Sequence, residues 1–154
     1  MSNLIFRPAT EDDLPEIIAM LADDHLGTSR ENPGLPLDER YLAAFRELDG
    51  DPNQLLVVAE RDGSVVGTMQ LSVLAGLSRL GMRRGQIEAV RIAAAERRSG
   101  LGAKLIEWAI AEFRRRGCGM VQLTTDKSRT DAHRFYERLG FKASHVGMKL
   151  DLSV

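Results

Sequence analysis

The stretch Arg97-Arg98-Ser99-Gly100-Leu101-Gly102 lies between a run that reads as a buried strand, 86–92, and one that reads as an amphipathic helix, 101–116. The first N–H groups of a helix have no partners inside it, and their summed dipoles resemble roughly half a positive charge. Such a turn holds a phosphate where no side chain blocks it. Gly100 and Gly102 clear that space, and Arg97 and Arg98 add point charges for a diphosphate. The same residues also make an ordinary strand-to-helix turn, with glycine relieving backbone strain and the arginines solvated. The stretch is not a P-loop, since no Gly-Lys-Ser/Thr follows, and Leu105 stands where a dinucleotide fingerprint has its third small residue. A second stretch, 132–141, puts Phe135 and Leu139 on one helical face with Ala132, while Tyr136 turns about 100° away from Phe135. Its hydroxyl is then either open to proton transfer or carried by an aromatic that packs in the core.

The elements that must carry these residues follow from the apolar pattern, which switches between a period of two and one of about 3.6, the mark of a mixed α/β domain. Residues 4–7 read as a strand stopped by Pro8. Thr10 with Asp13 offers a helix cap, and Leu14, Ile17, Ile18 and Leu21 supply an apolar stripe for a helix to about Asp24. Residues 25–36, rich in Gly, Pro, Asn and Ser, read as a loop before a helix at 37–48. Two strands, 54–60 and 64–73, flank Asp62-Gly63, a strong hairpin signal. A longer loop, 75–85, containing Arg83 and Arg84, leads to the 86–92 strand and completes a three-stranded meander. A strand at 120–125, a helix at 130–139 closed by Gly140, and a last strand or hairpin within 141–152 give the order β α α β β β α β α β. The expected fold is α/β (α+β): a twisted, mostly antiparallel sheet flanked by about four helices, in a single domain over residues 1–154.

Composition narrows the partners. Lys and Arg number 21 against 22 acidic residues, a formal charge of −1, so no global attraction to nucleic acid or anionic membrane is expected. Arg114-Arg115-Arg116 ends a helix, where cations meet the negative end of the dipole, and no aromatic pattern accompanies it. No apolar run is long enough to span a membrane. The N-terminus lacks a signal-peptide layout and Cys118 is the single cysteine, which together point to a reducing cytoplasm. Cys118 has no local His or Asn to activate it and reads as a packing residue. His25, His133 and His145 lack ligand spacing, so no metal is expected.

Taken in order, the 86–92 strand, the Arg97–Gly102 turn, the strand at 120–125 and the Ala132-x-x-x-Tyr136-x-x-x-Gly140-Phe141 stretch resemble the acetyl-CoA-binding core of the Gcn5-related N-acetyltransferases. The resemblance implies that backbone groups of Val90, Arg91 and Ile92 meet the pantetheine arm and acetyl carbonyl. It implies that Arg97, Arg98, Ser99, Gly100, Leu101 and Gly102 take the diphosphate, and that Tyr136 is the general acid. One position departs from the family pattern: Arg129 stands where an asparagine often touches the cofactor arm, and its guanidinium can reach a phosphate instead.

Acyl transfer to an amine needs a neutral nucleophile, and an alkylammonium is almost wholly protonated at pH 7, so a base must take its proton. Glu88 is the first candidate. It lies in an otherwise apolar strand just before the implied acetyl position, where partial burial raises a carboxylate pKa, and alternation puts it on the face of Val90 and Ile92. Asp126, at the end of the next strand, is a second base, an amine anchor or a turn former. A kink or bulge near 90–92 frees a backbone N–H for the oxyanion. In the family the early helices and their connection wall the acceptor pocket, which directs attention to His25, Arg30 and Glu31, with Arg30 set to clamp a carboxylate and Glu31 an ammonium. Residues 124–136 are also similar to a bacterial branch acting on small amino-acid-like amines, including antibiotic- and toxin-resistance enzymes. The expected activity is acetyl transfer from acetyl-CoA to a small-molecule primary amine. Acetylation of a protein N-terminus or lysine is the alternative within the class, and a non-catalytic acyl-CoA sensor the alternative outside it. An open sheet edge near the C-terminus allows a homodimer.

Overall fold

A computed structural model describes residues 2–153. Its elements are β1 (Leu4–Pro8), α1 (Leu14–Ala22), α2 (Glu39–Asp49), β2 (Gln54–Arg61), β3 (Ser64–Leu74), the single turn α3 (Ser78–Gly81), β4 (Arg83–Ile92), α4 (Leu101–Arg115), β5 (Cys118–Leu123) and α5 (Thr130–Arg138). The strands form one sheet in the order β1-β2-β3-β4-β5, antiparallel from β1 to β4. This is the mixed, mostly antiparallel architecture that the sequence pattern calls for. The chain divides into two compact units, one ending at Gln122 and a smaller one starting at Leu123.

In the larger unit the β2–β3 hairpin turns on Asp62 and Gly63, both at positive φ (50° and 86°), as the tight turn that matches strand twist requires. Strand alternation then sorts β2 between two cores. Val58 joins Ala9, Leu14, Ile17, Ile18 and Phe45 on the side of α1 and α2, while its neighbour Val57, fully buried, faces the other way with its cross-strand partner Met69. That second side belongs to α4, whose Leu105, Ile106, Ala109 and Phe113 are buried at the spacing of one helical face. Two glycines let the sheet approach α4 closely: a Cβ on Gly67 would stand 3.1 Å from Leu105, and one on Gly85 only 2.4 Å from the Phe113 ring. Trp108 of α4 packs on Phe6 of β1, with ring centroids 6.0 Å apart.

The entry to α1 is held by one arginine. Arg7 grips Asp13 through two nitrogens (2.7 and 2.9 Å) and Glu60 of β2 through its Nε (2.7 Å). Asp13 also accepts the backbone N–H of Thr10 at 2.7 Å, forming the cap anticipated at this position. The carboxyl is buried, yet the Arg7 guanidinium holds its pKa below the ordinary value.

Three segments differ from the pattern read in the sequence. β4 begins at Arg83, so Arg83 and Arg84 lie on a strand and not in a loop. Their guanidiniums reach the Arg116 carbonyl and the Gln122 side chain, at 3.2 Å each. α3 interrupts the preceding loop with Arg79 and Leu80 in the left-handed region. In the smaller unit, α5 ends on Gly140 at φ 97°, with the Phe141 N–H returned to the Tyr136 carbonyl. Residues 141–152 form no strand. An extended segment becomes a strand only through a ladder with a neighbour, and none is assigned to it among the described residues.

Two outcomes follow for stability. A carboxyl whose folded pKa is depressed contributes stability that is present above its unfolded value of about 4 and is lost as pH falls through the folded value. Asp13→Asn is therefore expected to cost about 1.5–3 kcal/mol at pH 7 and much less near pH 2, read from urea unfolding at the two pH values. Gly85→Ala, which drives a methyl into Phe113, is expected to cost about 1–3 kcal/mol in the same assay.

Candidate active site

The geometry of β4 sets the site. Thr68 of β3 pairs with Arg91, but Gln70, two residues on, pairs with Glu88, three residues back. One extra residue is accommodated on β4, and Ala89 takes it up at φ 52°, the signature of a β-bulge. Ala89 and Val90 thus stand outside the β3 ladder. The bulge anticipated around 90–92 is present, one residue earlier. It also overturns the expected facing of Glu88. In an antiparallel pair opposed residues share a face, so Glu88, opposite Gln70, lies with Arg91, opposite Thr68, whereas Ile92 pairs with Gly67 on the α4 side. The extra residue breaks the alternation that would have grouped Glu88 with Val90 and Ile92. Nor is Glu88 partly buried as expected: it is exposed, and its carboxylate accepts from the Gln86 amide.

Arg91 does more than present its backbone. Its Nε lies 3.3 Å from Asp24, and its Nη1 donates to the Val90 carbonyl at 2.9 Å. Asp24 in turn accepts the N–H groups of Leu26 (3.0 Å) and Gly27 (2.5 Å). Gly27 is required here, because a Cβ would collide with the Leu21 carbonyl oxygen. The loop after α1 is thereby pinned to the bulged strand through an acid–arginine pair that periodicity does not reveal. The only sequence signal is an acid shortly before a glycine in a loop, a common turn pattern.

Beyond β4, the turn from Ala94 to Gly100 is fixed on two flanks. Glu96 pairs with Arg61 at the end of β2 (2.9 Å), and Arg97 donates to the Asp23 carboxylate and carbonyl (3.2 and 3.3 Å). Arg97 is therefore shared with Asp23. Arg98, at φ 68°, together with Ser99 and Gly100, is exposed. Gly100 is the N-cap of α4 at φ 84°, with nothing within 4 Å of where a Cβ would be. The Leu101 N–H turns to the Ser99 hydroxyl (3.3 Å) and Lys104 closes the first turn on the Gly100 carbonyl (3.3 Å). The amides of Gly102 and Ala103 are first-turn donors, and no acid occupies that turn. The Leu101 side chain is buried in the core, so it can meet a ligand only through its backbone.

An open cleft of about 460 Å³ lies between the end of α1 and the segment after β4, lined by Ala19, Met20, Ala22, Asp23, Pro33, Ala93 and Ala94. His25, Arg30 and Glu31 do not line it. Glu31 instead accepts from the Tyr41 hydroxyl (2.8 Å), tying the loop to α2, and His25 and Arg30 are exposed. The residues that shape the cleft are mostly small and apolar, a composition that carries no signal in the sequence.

In the smaller unit, Asp126 forms a turn, accepting from the Ser128 N–H (2.9 Å) and hydroxyl (2.7 Å). Arg129 occupies the N-cap position of α5. The Tyr136 ring meets Phe135 and Phe141 edge-on, at centroid distances of 5.0 and 5.7 Å, so Tyr136 is packed among aromatics. The Thr125 hydroxyl, not noticed in the sequence, is buried without a hydrogen-bond partner among the described residues.

The acetyltransferase (GNAT) family model matches residues 16–141, a span that contains both the bulged strand and the glycine-capped start of α4. The chain belongs to the acetyltransferase (GNAT) family. It is 32% identical over 145 residues to the aminoalkylphosphonate N-acetyltransferase of Salmonella typhimurium, covering 90% of this chain and 85% of that one. It is 36% identical over 90 residues to the glucosamine 6-phosphate N-acetyltransferase of Trypanosoma brucei brucei, covering 58% and 59%. A crystallised protein from Bacillus halodurans C-125, described as a transcriptional regulator, superposes with a TM-score of 0.95 at 46% identity, over 97% of this chain and 100% of that one. The matched span of this GNAT chain crosses from the larger unit into the smaller one. Among the described residues no group of His, Cys, Asp and Glu is arranged to hold a metal, and no helix is long and apolar enough to cross a membrane.

The tether between loop and strand is testable by a double-mutant cycle. Asp24→Ala, Arg91→Ala and the double variant are expected to show a coupling energy of about 0.5–3 kcal/mol in unfolding experiments. The single variants are expected to be cleaved faster by protease within residues 25–31.

Proposed function

We propose that this chain transfers the acetyl group of acetyl-CoA to the primary amine of a small molecule, by direct attack with both substrates bound. The observation that carries the reading is the start of α4: an exposed left-handed turn with open space over Gly100, no acid in the first turn, and Arg98 beside it. That constellation suits a diphosphate, and the residues fit acetyl-CoA. Arg98, Ser99 and Gly100 with the backbone N–H groups of Leu101, Gly102 and Ala103 would hold its diphosphate. Arg97, already shared with Asp23, contributes less charge than an unpaired arginine. Backbone groups of Val90, Arg91 and Ile92 at the bulge would receive its arm, with Arg129 contributing to the same ligand. Acetyl-CoA supplies an activated acyl thioester.

The remaining steps fall to the chain. Glu88 takes the proton from the acceptor ammonium, directly or through water. Asp126 is the second base. An N–H freed at Ala89 or Val90 stabilises negative charge on the carbonyl oxygen, a contribution worth about 2.7–4 kcal/mol of barrier in comparable sites. Tyr136 Oη delivers the proton to the departing sulfur. The acceptor amine sits in the cleft beside Asp23, whose carboxylate favours an ammonium. Two relatives are named for acceptors that carry both an amine and a phosphorus oxyanion, and Arg30 provides the exposed cation for such a group. Because the family match spans both units, we take them as one catalytic domain.

The reading is tested by thiol release from acetyl-CoA over a panel of aminoalkylphosphonates, amino sugars, amino acids and peptides. Turnover with a small amine is expected. Acetyl-CoA binding without release across the whole panel would make the protein a sensor, and release only with peptides would make it a protein acetyltransferase. Glu88→Gln is expected to lower kcat about 10²–10⁴-fold with little change in acetyl-CoA affinity, and Tyr136→Phe to lower kcat within the same range. Arg98→Ala is expected to weaken acetyl-CoA binding in calorimetry while leaving unfolding unchanged.

A further inference from the structure

Arg84, Gln86 and Glu88 alternate along the regular part of β4, opposite Leu74, Ser72 and Gln70, so their side chains rise from one face of the sheet. Between them Gly85 abuts Phe113 of α4 and Ile87 is buried, which seats this run of strand on the core. Three contacts join the polar side chains into a line that passes through β5. Arg84 Nη1 donates to Gln122 Oε1 (3.2 Å), Gln122 Nε2 donates to Gln86 Oε1 (3.1 Å), and Gln86 Nε2 donates to Glu88 Oε1. Chemistry forces the direction of the line. A guanidinium only donates and a carboxylate accepts, so each amide between them has one orientation that makes both of its contacts. Turning either amide over would oppose donor to donor at one contact and acceptor to acceptor at the other. Arg84, Gln86 and Gln122 are half-buried, whereas Glu88, at the end of the line and directly before the bulge at Ala89, is exposed. All four belong to the larger unit.

We propose that Arg84, Gln122 and Gln86 are positioning residues that aim Glu88 at the acceptor amine. The inference rests on the reading of Glu88 as the base that takes the ammonium proton, and it names what holds that base. An exposed glutamate side chain spreads over many rotamers, so a base drawn from one is in place only part of the time. The line removes that freedom. With Oε1 held by the Gln86 amide, the carboxylate has one placement against the strand, and its Oε2 is left to the ammonium. The Gln70 amide, opposite Glu88, is turned to Gln54 (3.5 Å) and does not compete for the carboxylate. Each hydrogen bond polarises the next, so the positive charge of Arg84 strengthens the donor that reaches Glu88. The buried Ile87 keeps the row on a rigid strand rather than a loop. Such a support has a kinetic value, because a misplacement of about 1 Å costs up to roughly 10²-fold in rate. Arg84, Gln122 and Gln86 act through Glu88 alone, and their removal leaves the acetyl-CoA site intact.

Rates are measured as thiol release from acetyl-CoA with the amine of the acceptor panel that turns over fastest, and the side-chain amides of Gln86 and Gln122 are followed by ¹⁵N NMR. Arg84→Met, Gln122→Met and Gln86→Glu, the last an isostere that has lost its donor, are each expected to lower kcat about 10–100-fold while the KM for acetyl-CoA stays within about twofold. Arg84→Lys, which returns a donor to the same end, is expected to recover most of that loss. In the Glu88→Gln background the same three substitutions are expected to change kcat less than about twofold, because the group they hold is gone. Arg84→Met is expected to shift the side-chain amide resonances of Gln122 and also of Gln86, one contact further along, and thermal unfolding of these variants to match the parent. Three results would overturn the proposal and leave Glu88 as the base: a Gln86 amide resonance that Arg84→Met does not move; the three variants turning over at the parent rate while Glu88→Gln is slow; or losses that persist undiminished in the Glu88→Gln background. A Glu88→Gln variant as fast as the parent, or a parent that turns over no acceptor, sinks the reading of Glu88 as the base and this inference with it, so the two failures are told apart by the single Glu88 variant.

Discussion

A single inserted residue in β4 governs the site of this protein. Without it β4 would run in register along β3, every N–H and C=O from Arg83 to Ile92 would be committed to the sheet or its neighbour, and Glu88 would alternate regularly with the residues that follow. With it, Ala89 enters the left-handed region at φ 52°, and two residues leave the β3 ladder. A non-glycine residue at positive φ costs of order 1 kcal/mol. The cost is tolerated because the strand is held on both sides of the defect, by the paired run from Arg84 to Glu88 and by Arg91 and Ile92 opposite Thr68 and Gly67.

The segments around the bulge are held by ion pairs of unequal worth. Arg7–Asp13, Arg61–Glu96 and Arg91–Asp24 join side chains that are largely covered, from 9% to 29% exposed, and each links segments distant in sequence or caps a helix. The Arg97–Asp23 pair is more than half exposed, and water and salt weaken such a contact. This ordering has a functional logic. The covered pairs hold the framework around the cleft, whereas the exposed one joins the turn before α4 to the edge of the cleft.

Two glycines make a second constraint of packing rather than charge. Gly67 and Gly85 bring β3 and β4 close enough to α4 that a methyl at Gly85 has no room beside Phe113. Because α4 begins at Gly100 and its buried face is seated by these contacts, the direction in which its first-turn amides point is determined largely by core packing behind them. The start of the helix is thus positioned from its apolar side. In the smaller unit the opposite holds: no described residue is buried.

Most elements were legible in the sequence because they rest on local rules. The Asp62-Gly63 turn, the Thr10–Asp13 cap, the stripe of α1, the glycine start of α4 and the Gly140 end of α5 each depend on residues within a few positions of one another, so type and spacing determined them, as they did the family. What depends on partners far along the chain was decided only by the tertiary structure. The face and exposure of Glu88 depend on how β3 and β4 register. The Asp24–Arg91 tether joins residues that no period connects. Apart from Asp23, the cleft is lined by alanines, a methionine and a proline that carry no chemical signal. The alternation at 146–152 reads as a strand, but a strand exists only where another lends it hydrogen bonds, and alternation alone does not supply that partner.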